Sequence, residues 1–404
     1  MLGFVEFLAE AARKAGSATS SSKQWIPRNH NDHPDGDYSR FRGNGSDEHA
    51  FAAVWNHMAN NPHLFGHHTN SADLHRALLA EISRHHENAN HSLSLNAHDE
   101  RLRSKFNAKH AGKKNPPEYT SIVGSNSKEQ KARQTAWHEL LTRAARTVAD
   151  VATHPEFKHL RSQKAEQYGD EVGQNSKLWN EHGVTDTTSK SDVIIGNKAR
   201  PTHRRISLKH GDAQILSAQP ESFLAILNHA AHQAGYKRGS SAHDTIMAHG
   251  HKIAKAMKGM ADVNYPVTKQ GERTRDMHLE NMNTHWQNLS NFLDSGVQGD
   301  DAVTSGKQKP GHYINRLKNH MMKEAITGHG QFGKQSSVTP THLVTYGSNG
   351  TSIKSVDELT PENLSHYQIR LAKGKGRGGK GKCRPASVRG EPDKSMITRD
   401  KPGE

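Results

Sequence analysis

Apolar positions along the chain recur with two periods, and each predicts a different element. At helical spacing, Leu74, Ala77, Leu78 and Ile82 predict a helix over 71–85 capped by Ser71, and a shorter one precedes it over 50–58, ended by Asn60-Asn61-Pro62. Trp137, Leu140, Leu141, Ala144, Ala145 and Val148 form the clearest stripe, predicting a helix from 127 to about 151. Further helices are expected over 220–234, 241–260 and 275–293, and over 313–327, where Leu317, Met321 and Glu324 share one face and Gly328 closes the helix. Residues 1–16 read as a short amphipathic helix that docks on the protein's own core or on a partner. Short β-branched or alternating runs predict strands at 193–195, 205–209 and 342–346, with 214–216 finishing a sheet edge. Residues 87–118 are polar, basic and short of apolar anchors, which makes them a plausible boundary.

The strands at 193–195 and 205–209 are joined by turn residues that include Pro201, so they read as a hairpin. If that hairpin is symmetric about Ala199 and Arg200, Asp192 falls opposite Ser207. Directly opposed residues lie roughly 5 Å apart at Cβ. Lys209, two residues on, faces the same side as Ser207, while Ile206 and Leu208 turn the other way into a core. A carboxylate, a hydroxyl and an ammonium group would share one patch of sheet. Phosphodiester hydrolysis needs such a set: an oxygen ligand for a hard divalent cation, here Asp192, and a positive charge to position the attacking oxygen, here Lys209.

This arrangement resembles the PD-(D/E)XK nuclease superfamily, the restriction-endonuclease-like fold, in which an Asp on one strand is followed by acid-x-Lys on the next. Asp192 matches the first acid and Lys209 the lysine. The run Ser207-Leu208-Lys209 followed by Gln214 is similar to Ser-Leu-Lys variants with a nearby Gln among phage-encoded and restriction-type members. Ser207 stands where the family usually carries Glu or Asp, so one metal-binding carboxylate is missing from its expected place. The resemblance implies a mixed central sheet flanked by helices, Mg²⁺ or Mn²⁺ as cofactor, and Ser207 and Gln214 as supporting polar groups. A Glu on an apolar stripe must be paired or metal-bound if it is buried, so Glu324 is the candidate for the second acid; Glu139 falls on a polar edge.

Composition fits a polyanionic partner. The 404 residues carry a formal charge of +14 with 31 His counted neutral, and only 32% are hydrophobic; mean hydropathy is -0.90. DNA is the expected partner. Between 370 and 390 there are eight Lys or Arg and no acids, interleaved with glycine. Arg370, Lys373, Lys375, Arg377, Lys380, Lys382 and Arg384 are therefore expected to form a disordered, salt-sensitive phosphate-binding tail. Gly374, Gly376 and Gly379 fit a dinucleotide fingerprint only by spacing, since Pro385 intervenes and no helix follows. His138-Glu139-Leu-Leu-Thr142 lacks the second histidine of a zinc-protease motif. Cys383 is the single cysteine, which excludes an intrachain disulfide and a thiolate zinc cluster.

No run approaches the ~18 apolar residues of a membrane span, and no secretory signal pattern is present, so a cytoplasmic protein is expected, in a host cell or a virion if phage-encoded. The expected organisation is an α/β protein: an amphipathic helix and linker at 1–48, a His-rich helical region at 49–118, a nuclease-like core at 119–346 and a basic tail at 347–404. The expected function is a metal-dependent endonuclease acting on DNA. The alternative is a non-enzymatic nucleic-acid-binding protein, such as a phage virion or packaging component.

Overall fold

A computed structural model of the chain describes residues 46–66, 70–112, 127–169, 171–197, 203–211, 215–295, 311–347, 350–360, 364, 367–374, 378 and 381–392. It is a mixed α/β protein. The strands are β1 (Ala165–Gln167), β2 (Val193–Ile195), β3 (Arg204–His210), β4 (Leu216–Ala218), β5 (His342–Gly347), β6 (Gly350–Ser355), β7 (Tyr367–Ala372) and β8 (Ser387–Pro392). They form a five-stranded mixed sheet in the order β1-β2-β3-β5-β6 and a three-stranded sheet in the order β4-β8-β7. β1 pairs antiparallel with β2, and β5 runs parallel to β3 and antiparallel to β6. The chain divides into two compact units, one built from residues up to Gly169 with Asp192–Arg205, the other from Asp170–Ser191 and from Ile206 onward.

In the first unit, helices α1 (Ser46–Asn60), α2 (His63–Gly66), α3 (Ser71–His85), α4 (Leu95–His110) and α5 (Ser127–Thr153) precede β1 and β2. α1 and α3 both pack on α5, whose stripe of Trp137, Leu140, Leu141 and Val148 is buried as its spacing predicts. The Asn56 side chain ties α1 to β1 by donating to the Ala165 carbonyl and accepting from its N–H, both at 2.8 Å. The cap of α3 is Asn70, whose Oδ1 accepts from Asp73 N–H at 2.9 Å; Ser71, the expected cap, is the first helical residue and donates to Asp150 instead. Helix α4 was not expected, because its apolar anchors lie at its entrance. Leu93 and Leu95 are buried there, and Ser94 caps the helix by accepting from Ala97 N–H at 3.1 Å.

In the second unit, α6 (Lys177–Glu181), α7 (Pro220–Gln233), α8 (Ser241–Gly259), α9 (Lys269–Asp294), α10 (His312–Thr327) and α11 (His329–Phe332) accompany the remaining strands. α8 packs on both α7 and α9, and α7 on α10. Phe223, Leu227, Ile246, Ile253, Leu289 and Leu317 lie in the shared core. α9 begins six residues before the expected start, where Thr268 accepts from Gly271 N–H at 3.1 Å. Among the described residues no helix is long and apolar enough to cross a membrane.

The expectation of a disordered basic tail is overturned for the described residues of that segment. β7 and β8 pair antiparallel along their length, and Leu371, Ala372, Cys383, Ala386 and Val388 are buried. Those apolar residues, placed before and after the glycine-rich run, supply the core that the run itself lacks. The tail is also pinned by charge: Lys373 Nζ lies 3.1 Å from Glu272 and 2.5 Å from Asp276 of α9. Arg275, 8% exposed, donates to the Gly374 carbonyl.

Candidate functional site

Asp192 leads directly into β2 and is half-buried; its carbonyl accepts from Tyr168 N–H at 2.8 Å. At the far end of β2, a Cβ on Gly196 would stand 3.4 Å from the His203 Cα, and φ there is +97°. Residues 198–202, which hold the Ala199/Arg200 centre assigned from the sequence, lie outside the described residues. In the second unit, Ser207 and Lys209 sit two apart on β3, on one side of the strand, in register with Leu343 and Thr345 of β5. Ile206, Ser207 and Leu208 are 0%, 1% and 5% exposed, so β3 is covered on both faces, and Lys209 is half-buried. A buried serine and a half-buried lysine on a central strand are polar groups placed where apolar ones usually stand.

Glu324 is buried, at 3% exposed, on the apolar stripe of α10. Both its oxygens accept main-chain hydrogen bonds across the sharp turn into α11, from Gly330 N–H at 2.8 Å and Gln331 N–H at 3.0 Å. Gly328 makes that turn with φ of +62°, and Gly330 leaves room for the His229 ring, which a Cβ would meet at 2.7 Å. His229 Nε2 lies 3.5 Å from Glu324 Oε2. Burial pushes the Glu324 carboxyl up to about 7 against the two N–H donors and Lys190, while burial, then His232, lowers His229. Near neutrality Glu324 therefore titrates while it faces a neutral imidazole, so the contact is not a fixed ion pair in spite of its spacing. His320 is pushed down to about 4 by burial, then by Arg316, Lys323 and His229. The requirement that a buried Glu be paired is met by the main chain, so this side chain first of all holds α11 on α10. Glu324→Ala strands two N–H groups, and a loss of about 2–4 kcal/mol in denaturant unfolding is expected, with under 1 kcal/mol as the contrary result.

Of the basic residues expected to meet phosphate, Arg370 lies on β7, while Lys373, Lys382 and Arg384 lie between β7 and β8. Gln214, Lys375, Arg377, Lys380 and the helix expected over 1–16 lie outside the described residues.

Several histidines of the first unit, to which no residue pattern assigns a role, are gathered by the fold. His57 is buried, with Nε2 3.1 Å from Glu81 Oε2 and Nδ1 3.4 Å from Asn61 Nδ2, which fits a proton on Nε2. His85 Nε2 is 3.6 Å from the same carboxylate oxygen, and the His85 and His91 rings stack at 4.2 Å. Burial, opposed by Glu81, holds His57 below the usual histidine range; burial, then His85 and His57, do the same for His91. Burial raises Glu81, but His57, Arg84 and His85 outweigh it and leave the carboxyl lowered.

These shifts act in one direction. Each depressed histidine contributes stability above its unfolded pKa of about 6.5 that is lost as pH falls, and depressed Glu81 adds a loss at lower pH. Glu324, raised to about 7, works the other way over the same range, so the expected result is a comparison: the urea midpoint of wild type should lose ground to that of His57→Gln between pH 7.5 and 5.5, and a constant difference between the two would contradict this. Among the described residues no group of three or more His, Cys, Asp or Glu side chains is placed to hold a metal ion. No protein-family model, no curated protein and no solved structure matches the chain.

Proposed function

We propose that the protein is a metal-dependent endonuclease acting on DNA, of the kind its Asp192 and Ser207-Leu208-Lys209 resemble. The observation that carries the reading is the placement of Lys209: half-buried, beside buried Ser207, on the strand parallel to β5 in a mixed sheet. A long helix, α5, precedes the sheet strands, as the resemblance implies.

Mg²⁺ keeps several waters and takes one or two carboxylates together with substrate phosphates, so Asp192 is a sufficient protein anchor without a three-residue cluster. A bound divalent ion would supply charge neutralisation and a more acidic water. Asp192 would supply the ligand oxygen, and the Lys209 ammonium would orient the attacking oxygen and offset charge building on the phosphate. Ser207 would steady the lysine's surroundings. Gln214 is assigned a supporting polar role by resemblance. Glu324, with both oxygens already bound to N–H groups, is the weakest of the expected ligands.

The test incubates plasmid and single-stranded DNA with Mg²⁺, Mn²⁺ or chelator, comparing wild type, Asp192→Ala and Lys209→Ala. Metal-dependent cleavage lost in both variants supports the reading. DNA binding without cleavage in every sample would leave the non-enzymatic alternative.

A further inference from the structure

A cleft of about 630 Å³ opens in the second unit where α8 ends and α9 begins, with Lys255, Lys258, Asn264, Thr268, Gln270 and His278 on its walls. Its floor is backbone held close by glycine: a Cβ on Gly259 would stand 2.4 Å from the His278 ring, and one on Gly271 would stand 2.8 Å from Val263. Asp262 is the single carboxylate on the wall among the described residues. The pinned basic tail borders the same segment. Tyr265 N–H donates to the Gly381 carbonyl at 2.7 Å, Cys383 N–H to Val263 at 2.8 Å, and Lys382 Nζ to the Asp262 carbonyl at 2.8 Å.

Two further features extend the cleft into a strip. Lys252, Lys255 and Lys258 are all exposed on α8, spread over a rise of about 9 Å with Lys252 and Lys258 turned to either side of Lys255. His285 of α9 joins them, its ring 5.9 Å from that of His249. Burial lowers both of these histidines, as do nearby cations including Lys252, so they stay neutral near pH 7 and leave the lysines as the charge. Lys258 is partly engaged by Glu221 at 2.8 Å, but it is 59% exposed and the pair is open to water. Beside Asn264, Tyr265 keeps 44% of its surface exposed, one of three large hydrophobic side chains so placed among the described residues.

We infer that this strip binds single-stranded nucleic acid, with successive phosphates along Lys252, Lys255 and Lys258 and an unpaired base stacked on Tyr265. The inference rests on the nucleic-acid reading above and names the form of the ligand. A row of cations fits a repeating backbone charge, and an exposed ring beside it fits a base face, a pairing that duplex DNA cannot use because its bases are already stacked. An acidic peptide would use the lysines but not the ring.

The experiment measures anisotropy of labelled oligothymidine and of a matched duplex with the full chain in chelator, where cleavage cannot intervene. Wild type should favour the single strand. Tyr265→Ala should weaken single-strand binding about ten-fold and leave duplex binding unchanged, while Tyr265→Phe retains it. Lys255→Glu should weaken both ligands and flatten the salt dependence by about one unit of slope.

The inference is overturned if Tyr265→Ala or Lys255→Glu binds oligothymidine like wild type. It is equally overturned if Tyr265→Phe fails alongside Tyr265→Ala, or if polyglutamate displaces the oligonucleotide as well as unlabelled oligothymidine does. Tyr265-dependent binding by a protein that never cleaves plasmid would uphold this site and remove the nuclease reading alone.

Discussion

Lys209→Ala is expected to slow Mg²⁺-dependent plasmid cleavage by about 10²- to 10³-fold while leaving the thermal midpoint nearly unchanged. On the proposed reading the magnitude is that of removing one fixed charge from where negative charge would build in the transition state. Lys209 is half-buried, so its ammonium acts in a less screened setting than a surface lysine would. The core positions of β3 are Ile206 and Leu208, which turn away from Lys209 and are left in place by the variant. Lys209→Arg should recover only part of the rate, since a planar fork cannot replace a compact charge at the same point. Equal cleavage by wild type and Lys209→Ala would end the assignment of this strand to chemistry. A parallel loss of folding would move Lys209 to a structural role.

Trp137→Ala should cost about 3–5 kcal/mol of stability, read as a lowered urea midpoint. Trp137 is 1% exposed at the centre of the α5 stripe, and its ring lies over that of His98 at 4.3 Å and 17°. Its Nε1–H donates to the Leu93 carbonyl at 2.9 Å, tying the entrance of α4 to α5. Truncation opens a cavity that α1 and α3, both packed on α5, can close only in part, and it leaves the Leu93 carbonyl without this donor. Trp137→Phe refills most of the volume without restoring the hydrogen bond, so it should fall between the two. A cost below about 1.5 kcal/mol for the alanine variant would show that the site collapses around the loss.

The elements most legible from the sequence were those whose apolar residues keep one period. α3, α5, α7, α8 and α10 lie within a few residues of their expected ranges, and β2, β3 and β5 fall on their predicted runs. α4 escaped notice because its buried anchors Leu93 and Leu95 precede a largely polar stretch, leaving no stripe to read. Of the candidate site, the shared side of Ser207 and Lys209 follows from the alternation of β3 itself, whereas the register that sets them beside Leu343 and Thr345 of β5 does not. The partners of Glu324 were not legible either, because they are main-chain N–H groups that no side-chain pattern records.

Side-chain periodicity and turn residues act over a few neighbours, so they decided in advance where helices and strands would form and how strongly basic the molecule would be. Which charges remain available was settled only when distant segments met. Lys373 reads as an open phosphate contact in a glycine-rich run, yet it is bound by Glu272 and Asp276, about a hundred positions earlier in the chain. His57 reads as one histidine among many, yet burial and Glu81 fix its proton. Hydrogen-bond partners and desolvation depend on which surfaces come together in space, and that is information the spacing of residues along a chain does not carry.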